Sequence, residues 1–245
     1  MIEIPEILIE KMLRSHRIVF LTGAGVSAES GVATFRGDGG IWSKMSPEEL
    51  ASVNGFMKNP QLVWEWYQHR RALMHDVSPN AGHYAITELG KMYPETVLIT
   101  QNIDGLHARA GSTNILELHG NIGRNKCFKC GLLYEKEINP DGEIPYCDCG
   151  GMIRPDVVWF GEMLPKDVIS SAFRAAEQAE VFFSVGTSAV VQPAASLPLI
   201  ASHNEALVVE INIEPTELTR RADLFLRGKS GEILPRIVEE LRGKT

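Results

Sequence analysis

An apolar run, Ile18–Leu21, stops at Thr22 and is followed at once by Gly23-Ala24-Gly25-Val26-Ser27-Ala28. A short apolar run bounded by turn residues reads as a buried strand. The residues after it fit the G-x-G-x-x-G/A pattern of a turn that receives a dinucleotide phosphate. Glycine lets the backbone turn sharply and approach a pyrophosphate, and a helix start offers unpaired N–H donors to an anion. A glycine-rich strand–helix turn with no ligand fits the same residues, so the remainder of the chain has to decide.

A common nucleotide-binding βαβ unit reaches its second strand, and an acid for the ribose, about 20 residues after the glycines. Here the stretch from Gly37 to Asn80 intervenes, with Pro47, Pro60, Pro79 and three of the four tryptophans, Trp42, Trp64 and Trp66. It has helical runs and no clear strand, and reads as a helical insertion. The next strand is Val97–Thr100, so the usual ribose acid is missing from its usual place. Strands at Ile115–Leu118, Val181–Val185 and Leu207–Ile211 alternate with helical segments at 4–15, 83–93, 166–179 and 193–202. Ile233, Leu234, Ile237, Val238 and Leu241 mark a final amphipathic helix. Such alternation implies an α/β fold on a parallel sheet.

The four cysteines fall in one segment as C-x2-C-x16-C-x-C: Cys127, Cys130, Cys147 and Cys149. Two thiol pairs separated by a hairpin-length spacer suit a tetrahedral zinc site, with buried unliganded thiols as the alternative. Four thiolates leave no open coordination position, so such an ion is structural. At 245 residues the chain can bury one large core, or one core and a small module. A net charge of −7 argues against direct nucleic-acid binding, which needs a basic face. Glu3, Glu6 and Glu10 at the start do not make a secretory signal, and no apolar stretch approaches the roughly 20 residues of a membrane span. A cytoplasmic location without membrane partners is expected.

Three further clusters carry chemistry. Gln101-Asn102-Ile103-Asp104 follows a strand directly, where ligands of open α/β sheets sit. His119 closes the next strand beside Gly120 and could act as a general base near neutral pH; a lone histidine is more often structural. Tyr67 and Arg70, three apart on a helix over Leu62–Met74, share a face and could hold a carboxylate. On spacing alone, a surface arginine stacked on a core-edge tyrosine is the better explanation.

Together these motifs resemble the sirtuins, NAD-dependent protein-lysine deacylases. Gly23-Ala24-Gly25-Val26-Ser27, Ser30-Gly31 and Phe35-Arg36 are similar to the family's GAGxS…SGxPxFR, with Ala33 standing where proline is usual. Thr100–Asp104 is similar to TQNID, Leu118-His119-Gly120 to LHG, Gly186-Thr187-Ser188 to GTS, and Asn212 with Glu214 to NxE. The resemblance runs from about residue 10 to the C-terminus.

It implies a Rossmann-like parallel-sheet domain (1–36, 81–121 and 155–245), a smaller helical module (37–80) and a zinc-binding ribbon (122–154). NAD and one structural Zn2+ are the implied cofactors, and acylated-lysine proteins or peptides the partners. The implied NAD contacts are Gly23, Ala24, Gly25, Val26, Ser27, Ala28, Glu29, Ser30, Gly31, Val32, Ala33, Thr34, Phe35, Arg36, Gly37, Asp38, Gly39, Gly40, Ile41 and Trp42. Gln101, Asn102, Ile103 and Asp104 continue the set toward ribose and nicotinamide, and Gly186, Thr187, Ser188, Asn212, Ile213, Glu214 and Ser230 toward adenosine. Val158, Trp159, Phe160, Gly161 and Glu162 are the implied peptide-pairing segment. His119 and Asn102 are the implied catalytic residues. The implied reaction moves no hydride: nicotinamide leaves, and the acyl group passes from lysine to ADP-ribose. Transfer of ADP-ribose to a protein is the alternative, since it uses the same activation of NAD. Tyr67-x-x-Arg70 matches the class III subgroup, which removes succinyl and malonyl groups, so those acyl groups are expected, with acetyl as well.

Overall fold

The computed structural model describes residues 3–34, 46–139 and 142–244. Its strands are β1 (Ile18–Thr22), β2 (Val97–Thr100), β3 (Ile115–Glu117), β4 (Gly120–Cys127), β5 (Ile153–Val157), β6 (Val181–Val185), β7 (Leu207–Asn212) and β8 (Leu224–Arg227). Its helices are α1 (Glu6–Arg14), α2 (Ala24–Ala28), α3 (Pro47–Leu50), α4 (Val53–Lys58), α5 (Pro60–His75), α6 (Ala81–Met92), α7 (Leu106–Arg109), α8 (Lys166–Gln178), α9 (Leu197–His203) and α10 (Ser230–Lys244).

Six strands form one sheet in the order β3-β2-β1-β6-β7-β8. Every pairing in it is parallel. Strand β1 is central and buried along its length, which explains an apolar run without alternation. Its side chains still divide by period two. Ile18 and Phe20 join the core under α1, α6 and α10, where Phe20 stacks on Phe183 with centroids 4.9 Å apart. Val19 and Leu21 face Ala172, Ala176, Leu197 and Ala201 of α8 and α9. The connection from β1 to β2 packs α6 on one face, and β6, on the other side of β1, is reached through α8 on the opposite face, so the strand order switches between β1 and β6. The crevice at the carboxyl ends of β1 and β6 is therefore the binding position of such a sheet. The short edge strand β8 was not expected; four residues are too few to show a period.

The helical insertion and the cysteine ribbon share a third core. Phe56, Val63, Trp64 and Tyr67 of α4 and α5 pack with Ile122, Ile153, Val157 and Trp159. Strands β4 and β5 pair antiparallel from Gly120 to Val157, a slightly longer ribbon than 122–154. Gly120 has φ +77°, and a Cβ there would lie 2.1 Å from the Asp156 oxygen. Only glycine permits this close approach, so the residue after His119 is fixed by the ribbon's start.

Candidate active site

Five strand ends converge on the crevice. The turn after β1 lies against the turn after β6: Gly23 N–H donates to Val185 O (3.0 Å) and Gly25 N–H to Gly186 O (2.8 Å). A Cβ on Gly25 would sit 2.7 Å from that Gly186 oxygen, so the two backbones can meet only without side chains. Gln101 N–H donates to Thr22 O, which places the residues after β2 beside the glycine turn. The Gln101 side chain donates to Thr187 Oγ1 (3.0 Å), and Asn212 Nδ2 donates to Thr187 O (2.9 Å).

At the centre, Ser27 Oγ donates to Asp104 Oδ2 (2.8 Å) and accepts from Asn102 Nδ2 (3.1 Å). Asn102 Nδ2 also donates to Gly23 O (3.0 Å). Leu106 N–H donates to Asp104 Oδ1 (2.9 Å). Burial raises the Asp104 pKa, and these two hydrogen bonds oppose the rise. Ser27, Asn102 and Asp104 line a cleft with Ala24, Val32, Ala33, Ile103, Ile122 and, from α5, Arg70 and Met74. Amide, carboxylate and hydroxyl groups beside a glycine turn are the donor and acceptor set that a ribose and a carboxamide require, so NAD fits the residues present.

His119 is half-buried at the end of the β3 segment. Its Nδ1 lies 3.0 Å from Gln101 O. Burial lowers its pKa, and the hydrogen bond to Gln101 opposes the shift. Tyr67 and Arg70 share a face of α5, as the spacing predicts. The Tyr67 hydroxyl accepts from Trp159 Nε1 (3.0 Å), and burial pushes its pKa up to about 12.

The four cysteine sulfurs lie within 4.8 Å of one another. Cys127 and Cys149 are 3.4 Å apart and Cys130 and Cys147 3.8 Å apart, so none is disulfide-bonded. Four sulfurs at about 2.3 Å from one zinc are about 3.8 Å from each other in a tetrahedron. Lys129 and Cys130 N–H groups point at Cys127 Sγ (3.3 and 3.4 Å), as suits a thiolate. The cluster fits a zinc ion.

The sequence pattern of the Sir2 family matches residues 23–193. This chain belongs to the Sir2 family. NAD-dependent protein deacylase 2 of Pyrobaculum aerophilum is 51% identical over 228 residues, which cover 93% of this chain and 91% of that protein. A Sir2 homologue solved as an NAD complex superposes with a TM-score of 0.92 at 46% identity, covering 99% of this chain and 95% of that one. A Sir2 mutant solved with a deacetylated p53 peptide and 3′-O-acetyl ADP-ribose gives 0.85 at 33% identity, covering 96% and 97%.

Within this Sir2 fold the expected site residues separate into groups. Gly23, Gly25, Ser27, Asn102, Ile103 and Asp104 come together with His119 and Arg70 nearby. Phe35, Arg36, Gly37, Asp38, Gly39, Gly40, Ile41 and Trp42 lie outside the described residues. Glu29 accepts from Ser230 Oγ (2.6 Å) and Gly231 N–H (3.1 Å), so this pair fastens the start of α10. Glu214 is exposed and paired with Arg227 at 2.9 Å. In the peptide segment, Val158 N–H donates to His119 O and Phe160 N–H to Ala51 O, while Phe160 is half exposed. The Trp159 and Glu162 side chains turn inward instead. Trp159 is 1% exposed, and Glu162 takes two bonds from the buried Arg154 (2.5 and 3.0 Å).

Asn80 was missed. Its side chain caps α6 and donates to Val26 O (2.8 Å) and Ser30 Oγ (2.9 Å), tying that helix to the glycine turn. An asparagine just before a helix, with His83 three positions on, was the available signal.

Proposed function

We propose that this Sir2-family chain, an NAD-dependent protein deacylase, removes acidic acyl groups, succinyl and malonyl, from lysine, and acetyl groups as well. The observation that carries the acyl preference is the Tyr67–Arg70 pair on α5, with Arg70 lining the same cleft as Asn102 and Asp104. Arg70 keeps a delocalised charge even though burial lowers its pKa. Tyr67 keeps its proton and remains a donor. Together they offer a carboxylate a charged fork and a hydroxyl, where an acetyl methyl would leave both unused.

When bound, NAD supplies an electrophilic ribose carbon, a nicotinamide leaving group and ribose hydroxyls that receive the acyl group. The residues would divide the work as follows. Gly23–Ala28 hold the pyrophosphate, Gln101 and Asn102 the nicotinamide ribose, and Asp104 the carboxamide. Gly186, Thr187, Ser188, Asn212, Ile213 and Glu214 surround the adenosine half. His119 takes a ribose hydroxyl proton at Nε2. The main chain of Val158–Glu162 pairs with the substrate peptide. One zinc held by Cys127, Cys130, Cys147 and Cys149 keeps the ribbon folded and has no open position for chemistry.

The test compares succinyl-, malonyl- and acetyl-lysine peptides on the wild type and Arg70→Met, with mass spectrometry of peptide and nucleotide products. Removing a charge-assisted pair of hydrogen bonds costs about 1.5–3 kcal/mol, so the succinyl-to-acetyl ratio of kcat/KM is expected to fall about 10- to 100-fold. Equal losses for all acyl groups would sink the carboxylate clamp. Gain of ADP-ribose on the peptide, with no acyl loss, would sink the deacylase reading.

A further inference from the structure

We propose that Trp159 is a positioning residue for acyl specificity: its indole N–H aims the Tyr67 hydroxyl at the acyl carboxylate without itself touching substrate. This rests on the acidic-acyl reading above.

Both side chains are buried, Tyr67 at 2% exposure and Trp159 at 1%, and Trp159 Nε1 lies 3.0 Å from Tyr67 Oη. An indole N–H can only donate, whereas a phenol both donates and accepts. The direction of this bond is therefore fixed. The phenol oxygen accepts from Trp159, and its one proton must be directed away from the indole. The Arg70 charge acts on Tyr67 from one helical turn away, and Arg70 lines the cleft. A hydroxyl free to rotate would offer a carboxylate a donor only part of the time. One held by the indole offers it throughout, and ordering a rotor before binding lowers the cost of binding.

Trp159 is itself held from three sides. The Arg154 guanidinium lies 3.2 Å above the ring centroid, Phe56 packs against the ring at 5.1 Å, and Glu162 Oε2 accepts from the Trp159 main-chain N–H at 2.8 Å. Glu162 and Arg154 are paired in turn, which closes a buried network; polar networks of this kind polarise and stiffen one another. The neighbours of Trp159 are Val158, bonded to His119 O, and Phe160, bonded to Ala51 O. The segment that would carry the peptide is thus joined through one indole to the group that would read the acyl end.

The experiment uses Trp159→Phe, Tyr67→Phe and the double variant, assayed with succinyl- and acetyl-lysine peptides at saturating NAD. Trp159→Phe is expected to lower the succinyl-to-acetyl ratio of kcat/KM about tenfold, mainly through the succinyl KM. Tyr67→Phe is expected to do the same, and the double variant to fall no further than either alone, because one interaction is being removed twice. In the wild type, the Trp159 indole N–H resonance should shift on titration with the succinyl peptide and stay in place with the acetyl peptide. This measurement needs no variant to fold. A parallel loss for both acyl groups, multiplicative losses in the double variant, or an unmoved indole resonance each overturns the proposal. A wild type without succinyl preference, or Arg70→Met without effect on the ratio, overturns the acyl reading itself, and that is seen before Trp159 is changed.

Discussion

His119 Nδ1 lies 3.0 Å from the main-chain oxygen of Gln101. A carbonyl can only accept, so Nδ1 carries the proton and Nε2 keeps its lone pair. Burial lowers the histidine pKa, which extends the neutral form to lower pH than the ordinary 6.5. As a base, His119 should give kcat/KM an acid limb that falls as pH decreases, with its midpoint below 6.5. His119→Ala should cost about 10²–10⁴ in turnover and remove that limb, while NAD binding by calorimetry and the thermal midpoint persist. An unchanged limb in the variant would move the base elsewhere.

Arg71 couples the helix that carries Tyr67 and Arg70 to the strand that follows His119. Its guanidinium donates to Ile122 O (2.5 Å), Arg124 O (3.1 Å), Asn125 Oδ1 and Gln68 Oε1 (2.9 Å). Arg71→Met strands several of these acceptors at the junction of α5 and β4. A loss of about 2 kcal/mol in urea unfolding is expected, with an unchanged m-value. Arg71→Lys should recover only part of it, because one ammonium cannot span four acceptors.

The sheet was legible because a buried parallel strand announces itself as a short apolar run, and the glycines announce where it stops. The cysteine spacing and the strand-end clusters at Gln101–Asp104 and His119 were legible for the same reason: each is local in sequence. What local reading cannot reach is direction. Trp159 and Glu162 sit in the expected peptide segment, yet the turn at Gly161 (φ +86°), closed by Glu162 N–H donating to Trp159 O (3.0 Å), lets the two side chains reach Tyr67 and Arg154. Glu29 and Ser230, both expected beside the nucleotide, also bond each other across 201 positions. The shared core of insertion and ribbon depends on Trp64 and Trp159 meeting through Phe56 and Tyr67, a contact no spacing records.

Zinc removal should act through that shared core. Cys127 is 1% exposed and packs among Phe56, Ile153 and the neighbouring apolar side chains, so the metal site forms one wall of the third core. A chelator with a chromogenic zinc indicator should release one equivalent of zinc per chain. Deacylation should fall in step, and tryptophan emission should shift to the red as Trp64 and Trp159 meet water. Far-ultraviolet dichroism should lose less, since the six-stranded sheet and its two cores do not include the ribbon. Full activity after one equivalent is removed would separate the metal from the fold of this module.

Behind the glycine turn, His83 and His107 pack ring against ring with centroids 4.7 Å apart. Asn80 N–H faces His83 Nδ1 at 3.3 Å, Thr22 Oγ1 faces His107 Nε2 at 2.9 Å, and Glu29 is the acid whose charge reaches His83. Burial lowers the His83 pKa to about 4. Burial and the neighbouring ring lower that of His107 to about 3. In the unfolded chain both titrate near 6.5, so below that pH the unfolded state binds more protons than the folded one. The stability contributed by keeping these rings neutral is complete above pH 6.5 and is lost progressively as pH falls toward 4 and then 3. Each histidine should add about 1.4 kcal/mol per pH unit to the decline over that window. Urea unfolding from pH 7.5 to 4.5 should show this slope, and His107→Phe should flatten it by about half, even if its stability at pH 7.5 is lower. An identical slope in the variant would mean that other groups drive the acid sensitivity.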